Sequence, residues 1–310
     1  MKIAVTGGAG FIGSHVSDAL IAQGHEVHII DDLSGGFRHN LNLKAVFHHT
    51  DIRDESIPAL FEKERFEVLY HLAAQMDVRK SVADPQFDAK VNVLGFLNLL
   101  EAGRKNGLTK VILSSTGGAI YGEPDYTPQD ENHTERPMSP YGITKLVSEH
   151  YLRFYNLVYD LKWISLRYAN VYGPRQNAHG EAGVVAIFTE RMLRGQNCFI
   201  NGDGLQTRDY VNVADVVQAN LLALNHTSNG IFNVGTGIET NVVELFRYLK
   251  KFTGSETPET HADGKPGEQM RSVVGTAKIE KEMGWKRRYS IEEGLRETVE
   301  WFKAREKQNA

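Results

Sequence analysis

Glycine at every third position after a short apolar run constrains this chain more than any other feature. KIAVT is followed by GGAGFIGSH, so Gly7, Gly10 and Gly13 stand at the passage from a first strand into a helix beginning near Phe11. Without β-carbons the backbone there can approach a pyrophosphate, and the helix can pack tightly on the sheet, while its N-terminus offers N–H groups and a favourable dipole. Eighteen residues after Gly13, Asp31 closes the second apolar run, EVHII. A carboxylate at that place accepts hydrogen bonds from the adenosine ribose hydroxyls and repels a 2′-phosphate, so the expected cofactor is NAD rather than NADP. Asp32 strengthens the repulsion, and Arg38 is the one nearby cation acting the other way.

The rest of the first half keeps the same rhythm. AVFHH, EVLYHLAA and KVILSS are short strands too apolar to have a wet face, and helical patterns lie between them, at Phe11 to Gln23 and Val91 to Arg104. This predicts an α/β fold: a Rossmann-type, doubly wound parallel sheet covered by helices, with KWISLRYANVYG as its sixth strand. From Gly173 the texture becomes loop-rich, with helices at VAIFTERMLRG, Asn241 to Phe252 and Ile291 to Phe302. The expected division is a dinucleotide-binding domain over 1–172 and a smaller α/β C-terminal substrate-binding lobe over 173–310, with a segment around 211–235 returning to the first. The acidic connection Gly122 to Pro140 carries four prolines, and such a long connection is either an active-site border or a solvated loop.

A net charge of -4 with both signs dispersed argues against nucleic acid or an anionic membrane as partner. The single cysteine, Cys198, forms no intrachain disulfide, reads as core filler and suits a reducing compartment. No signal-peptide pattern opens the sequence and no run approaches membrane-spanning length, so a cytoplasmic protein is expected. No metal site is expected either: His48 and His49 point to opposite faces of a strand, and HExxH-type spacing is missing. His71 reads as a packed strand histidine.

SPYGITKLVSEHY places Tyr141 and Lys145 one turn apart on a helix that Ser139 caps and Pro140 begins. On a shared face the ammonium lowers the phenol from its usual pKa of about 10 and makes it a proton acceptor. The same spacing also occurs on ordinary amphipathic surfaces.

TGGAGFIG, DIRD, HLAA, SST, YGITK and RYANVYGPRQ, in this order over nearly the whole chain, resemble the extended short-chain dehydrogenase/reductase family. DDLSGG, SSTGGAIYG, GEAGVVAIF and GDGLQTRDYV resemble its nucleotide-sugar 4-epimerases. The resemblance implies NAD-dependent 4-epimerisation of a UDP-hexose by a homodimer built on the Val91 and Tyr141 helices. Tyr141 would be the catalytic base, Lys145 the residue that holds the nicotinamide ribose and tunes the phenol, and Thr116 the hydroxyl that orients the sugar's reacting oxygen. The cofactor would meet Phe11 and Ile12 in the glycine loop, then Leu33, Ser34, Gly35 and Gly36 beyond Asp31 and Asp32. Asp51 and Ile52 would receive adenine, while Leu72, Ala73, Ala74 and Gln75, Asn92, Ser114 and Tyr168 complete that site. For the UDP-sugar the resemblance implies Asn170, Val184, Val185, Phe199, Ile200, Asn201, Arg208, Lys265, Glu268, Arg271 and Ser272, with Arg208 and Arg271 clamping the diphosphate. A surface salt bridge is the other reading of each arginine.

Dehydratases of the same family carry an acid directly after the hydroxyl residue. Here Gly117 and Gly118 follow Thr116 and offer no proton donor or acceptor, which leaves return of the hydride to the other face of C4. Asn201, Lys265 and Gly275 depart from the family pattern, and the small Ser272 leaves room for a 2-acetamido group. UDP-N-acetylhexosamines are therefore candidate substrates beside UDP-glucose and UDP-galactose. UDP-glucuronate epimerisation, another nucleotide-sugar oxidoreductase or dehydratase, and an NAD-binding sensor without chemistry are the competing readings.

Overall fold

The computed structural model describes residues 1–178, 183–264 and 269–309. Its strands are β1 (Lys2–Thr6), β2 (Glu26–Asp31), β3 (Val46–His49), β4 (Val68–His71), β5 (Lys110–Thr116), β6 (Lys162–Tyr168), β7 (Asn170–Tyr172), β8 (Phe199–Asn201), β9 (Thr207–Asn212), β10 (Gly230–Val234), β11 (Glu239–Asn241), β12 (Thr260–Ala262) and β13 (Arg271–Ser272). Seven of them form one parallel sheet in the order β10-β6-β5-β4-β1-β2-β3. The order reverses between β1 and β4, and a crevice opens beyond the strand ends at such a reversal.

Side-chain alternation explains why both faces are covered. Ile3 and Val5 lie in one buried cluster with Val16 and Leu20 of helix Phe11–Ala22 and Val216 and Ala219 of helix Val213–Asn225. Ala4, one residue out of step, lies in the opposite cluster with Phe61 of helix Ile57–Glu64, Leu99 of helix Phe96–Lys105 and Leu152 of helix Pro140–Tyr159. Each strand thus feeds two cores, which is why these runs are continuously apolar. KWISLRYANVYG divides: β6 stays in the large sheet, while β7 leaves it and pairs with β9.

The second lobe has its own core, where Phe188, Cys198, Ile200, Phe246, Leu249, Leu295 and Val299 meet. Its strands form a sheet ordered β11-β9-β13, with β7 also on β9, and a separate β8-β12 pair. Helix Val213–Asn225 and β10 lie with the large sheet instead.

One charge cluster is sealed behind β5 and β6. Arg167 is fully buried, donates to Glu149 at 3.0 Å and 2.6 Å, and also bonds Glu135. Glu149, itself buried, accepts further bonds from Ser115 at 2.7 Å and Ser165 at 2.8 Å. A pair so enclosed is costly to break because the survivor keeps its charge without water. Glu149→Ala is therefore expected to lower unfolding stability by about 3 kcal/mol, read from urea denaturation followed by circular dichroism.

Candidate active site

At the reversal of strand order lies a cleft of about 570 Å³, bounded by the glycine loop, the ends of β2 and β4, and the turn after Thr50. Gly7 has φ +69, and a β-carbon on it would stand 2.7 Å from the Ala73 nitrogen. Neither the left-handed backbone nor the approach of the two loops admits a side chain there. At Gly13 a β-carbon would meet the Gly7 carbonyl at 2.1 Å, so the helix seats directly on the loop. Helix Phe11–Ala22 begins at Gly10 without a side-chain cap, leaving its first N–H groups facing outward for an anion.

Asp31 is nearly buried. Its two oxygens accept from the Ala9 N–H at 2.9 Å and the Leu33 N–H at 2.8 Å, and burial pushes its carboxyl up despite both bonds. Each oxygen keeps a lone pair for a ribose hydroxyl. This cradle fits a dinucleotide with a free 2′-hydroxyl.

Of the residues expected around the cofactor, all line the cleft except Leu33, Asn92, Tyr141, Lys145 and Tyr168. Leu33 sits at φ +60 in the turn after β2 and serves Asp31 through its N–H. Asp51 is already engaged: Arg53 closes on both its oxygens, and that bond is the main reason its carboxyl lies below the usual range. Asn92 is buried in a π-helical turn, Lys90–Gly95, where it exchanges bonds of 2.9 Å with the backbone of Gln75. His71 is buried against Phe96, stacked at 4.5 Å, with Nδ1 2.8 Å from the Thr6 hydroxyl; burial holds its pKa well below the ordinary value. It is a packed strand histidine.

Helix Pro140–Tyr159 starts as its sequence predicts, with the Ser139 hydroxyl accepting from the Gly142 N–H at 3.2 Å. Tyr141 is fixed by its own N–H, which donates to Ser81 at 3.2 Å. The Lys145 ammonium lies 5.9 Å from the centre of the Tyr141 ring and donates to the Ser114 carbonyl at 2.8 Å. Burial pushes Lys145 down to about 8, opposed by the charges of Asp88 and Glu149. Tyr168 pairs with Thr116 across β5 and β6, and its buried hydroxyl accepts from Asn220 at 2.8 Å.

Three expected substrate groups converge. A β-carbon at Gly118 would stand 3.7 Å from Asn170 Oδ1, 3.9 Å from Ser272 Oγ and 3.9 Å from Thr116 Oγ1. Helix Pro140–Tyr159 abuts the same segment, since a β-carbon at Gly142 would meet the Ala119 carbonyl at 2.4 Å. The Gly122 to Pro140 connection is laced over it: Gln269 donates to the Gly122 carbonyl at 2.6 Å, the Met270 N–H to Glu123 at 2.8 Å, and Gln129 and Val273 bond through their backbones at 2.9 Å. The connection borders the site.

Not every expected residue is brought together. Ser272 pairs with Arg208, whereas Arg271 pairs with Thr207, and adjacent residues of a strand face opposite ways. Arg208 thus shares the Ser272 face, and Arg271 lies on the other. There Arg271 donates to Glu239 at 2.9 Å and 2.7 Å and to Thr127 at 3.1 Å, so the two expected arginines start from opposite faces of this short sheet. The side chains of Val185 and Ile200 are in the core of the second lobe, leaving only their backbones to a ligand; Val184 is partly buried, and Phe199 and Asn201 reach the surface. Lys265 and Glu268 fall outside the described residues. The sequence reading missed Arg53, Lys80, Phe87, Gln176 and Asn177 in the cleft wall; DIRD and GPRQ contain two of these residues, Arg53 and Gln176, and were the available signal. Among the described residues no group of three His, Cys, Asp or Glu is placed to hold a metal ion.

A family model described as the NAD dependent epimerase/dehydratase family matches residues 3–235. The chain is 44% identical to a UDP-glucose 4-epimerase of Mycolicibacterium smegmatis, over 98% of this chain and 99% of that one. Among solved structures, a Thermotoga maritima UDP-glucose 4-epimerase with UDP-glucose superposes with a TM-score of 0.97 at 50% identity, covering 98% of this chain and 99% of the other. A Thermus thermophilus UDP-glucose 4-epimerase complexed with NAD does so with a TM-score of 0.94 at 45% identity and the same coverage.

Gly7→Ala should cost at least tenfold in dinucleotide affinity, because a left-handed alanine alone costs ~1–2 kcal/mol before the clash with Ala73. Release of NAD from acid-denatured protein, measured against the parent, checks this.

Proposed function

Because the chain belongs to the NAD-dependent epimerase/dehydratase family, we propose that it inverts C4 of UDP-hexoses, interconverting UDP-glucose and UDP-galactose. The observation that carries the reading is the convergence of Thr116, Asn170 and Ser272 on Gly118, beside the Tyr141–Lys145 helix and with no side chain at 117 or 118 to drive elimination. Bound NAD supplies the acceptor and later the donor of the C4 hydride. Tyr141, as phenolate, takes the proton of the C4 hydroxyl and afterwards returns it. Lys145 favours that phenolate by its charge, with the Ser114 carbonyl fixing its direction. Thr116 hydrogen-bonds the same sugar oxygen. Arg208 and Asn170 hold the diphosphate, so the nucleotide stays while the sugar turns to present its other face.

Ser272 supports a second substrate class. It is small, buried and next to Gly118, so the pocket has space for a 2-acetamido group and UDP-N-acetylhexosamines fit the same chemistry. Incubation with UDP-glucose, UDP-N-acetylglucosamine and UDP-glucuronate in separate tubes, read by NMR without added NAD, tests both readings. C4 epimers from the first, with or without the second, are expected; epimer from the glucuronate alone contradicts the proposal, and NADH accumulating with turnover marks a dehydrogenase. Tyr141→Phe should lower kcat by at least about 100-fold with bound NAD retained.

The working form we propose is a homodimer. Helix Pro140–Tyr159 exposes Ile143, Phe154, Leu157 and Val158, Leu157 completely enough to be 85% accessible, and Leu94 is exposed in the adjoining helix. An apolar stripe of this kind marks an interaction surface. Sedimentation velocity should show a dimer for the parent and a monomer for Leu157→Glu. No helix among the described residues is long and apolar enough to cross a membrane. The cytoplasm is the compartment we propose, since the lone buried cysteine needs no oxidising environment.

A further inference from the structure

Asp88, in helix Pro85–Ala89, is fully buried and lies outside every motif of the sequence. One oxygen accepts from Gln75 Nε2 at 2.9 Å and Asn92 Nδ2 at 3.1 Å, the other from the Thr144 hydroxyl at 2.8 Å. All three donors are neutral, and no cation among the described residues touches the carboxylate. The three donors come from different structures around the cleft. Gln75 lines it, Asn92 sits in the π-helical turn, and Thr144 directly precedes Lys145.

Of the two buried carboxylates whose charge acts on Lys145, only Asp88 has no cation bonded to it among the described residues. Glu149 is satisfied by Arg167, Ser115 and Ser165. His71, facing Lys145 from β4, is neutral because burial lowers its pKa. Tyr141 faces Lys145 from the same helix, and Arg79, Lys80 and Lys90 on the neighbouring elements are exposed. That leaves a buried carboxylate without a touching cation and a buried ammonium whose hydrogen bond goes to a neutral carbonyl. A buried ammonium is costly unless negative charge lies near it.

We propose that Asp88 is a positioning residue: its carboxylate is the buried counter-charge of Lys145, and its bonds to Gln75, Asn92 and Thr144 seat the Tyr141–Lys145 turn against the cofactor cleft. The proposal rests on the reading of that pair as catalytic.

Asp88→Asn keeps the geometry and removes the charge. Its amide oxygen still accepts from Gln75 and Asn92, while its nitrogen donates to Thr144, whose proton turns to the Tyr141 carbonyl 3.1 Å away. In the holoenzyme the alkaline limb of kcat/KM, set by loss of the Lys145 proton, should then move down by about one pH unit. Thr144→Val, which breaks a bond and keeps the charge, should leave the limb in place. A limb that stays put in Asp88→Asn overturns the proposal. A second measurement needs no turnover: in a double-mutant cycle of Asp88→Asn and Lys145→Met, followed by melting temperature at pH 7.5, the double variant should lose less than the sum of the singles. Additive losses overturn the counter-charge even in protein that epimerises no sugar, whereas coupling in inactive protein would count against the proposed function alone. If Asp88→Asn does not accumulate, Asp88→Ser in the same cycle decides.

Discussion

An ammonium held out of water sets the terms for the rest of this site. Lys145 is driven toward neutrality by burial, and only nearby negative charge and the Ser114 carbonyl oppose that pressure. The balance is held by the fold: the end of β5 must bring Ser114 under the lysine, and the helix must begin at Ser139 for the ammonium to sit beside the Tyr141 ring. A lysine at the same place in solvent would keep its charge without help, but its field on the phenol would be screened. Burial makes the interaction strong and makes its supports necessary.

The same logic of close approach shapes the cofactor side. Gly7 touches the backbone at Ala73 and Gly13 the carbonyl of Gly7, so the first and fourth strands end in loops that interlock at the sheet's reversal. Thr6 ties them further, its hydroxyl lying 2.8 Å from His71 Nδ1 and 3.2 Å from the Ala73 nitrogen. The cleft is therefore walled by backbone that cannot retreat, which suits a ligand bound mainly through phosphates and ring faces.

The fold was legible because its signals are local, and so was the start of the helix that carries Tyr141 and Lys145. KIAV, EVHII and KVILSS announce buried parallel strands by composition, and Ser139–Pro140 announces a helix start by chemistry. The second lobe was less legible because its contacts join segments far apart in sequence. Whether Arg271 faces a ligand depends on the register of a two-residue strand against β9, which nothing in EQMRS reveals; the resemblance placed it beside Arg208, and alternation places it opposite. That the side chains of Val185 and Ile200 turn into the core was hidden for the same reason, since sequence position does not say which way a side chain points. Asp88 left no trace at all, because an aspartate in FDAKVN reads as surface until Gln75 and Thr144 are folded around it.

The absence of an acid after Thr116 is also a matter of space. A β-carbon at Gly117 would stand 2.7 Å from Val274 Cγ1, and Val274 has little freedom to yield. Its N–H points to the buried carboxylate of Asp209 at 3.4 Å, and it bridges to Gln129 in the connection that crosses the site. Asp209 in turn binds the Thr236 and Gly237 N–H groups, at 2.8 Å and 3.1 Å, and burial lifts it to about 6. To place a proton donor at 117, the chain would have to move Val274, the loop at 236 and the strap at 129 together. Gly118 is freer: the atoms nearest a β-carbon there are Asn170 Oδ1, Ser272 Oγ and Thr116 Oγ1, at 3.7 Å, 3.9 Å and 3.9 Å. A carboxylate at 118 would fill the space those three side chains leave. In this scaffold close contact keeps a side chain out of 117, and the open space beside Thr116, Asn170 and Ser272 is kept at 118, by the same pair of glycines.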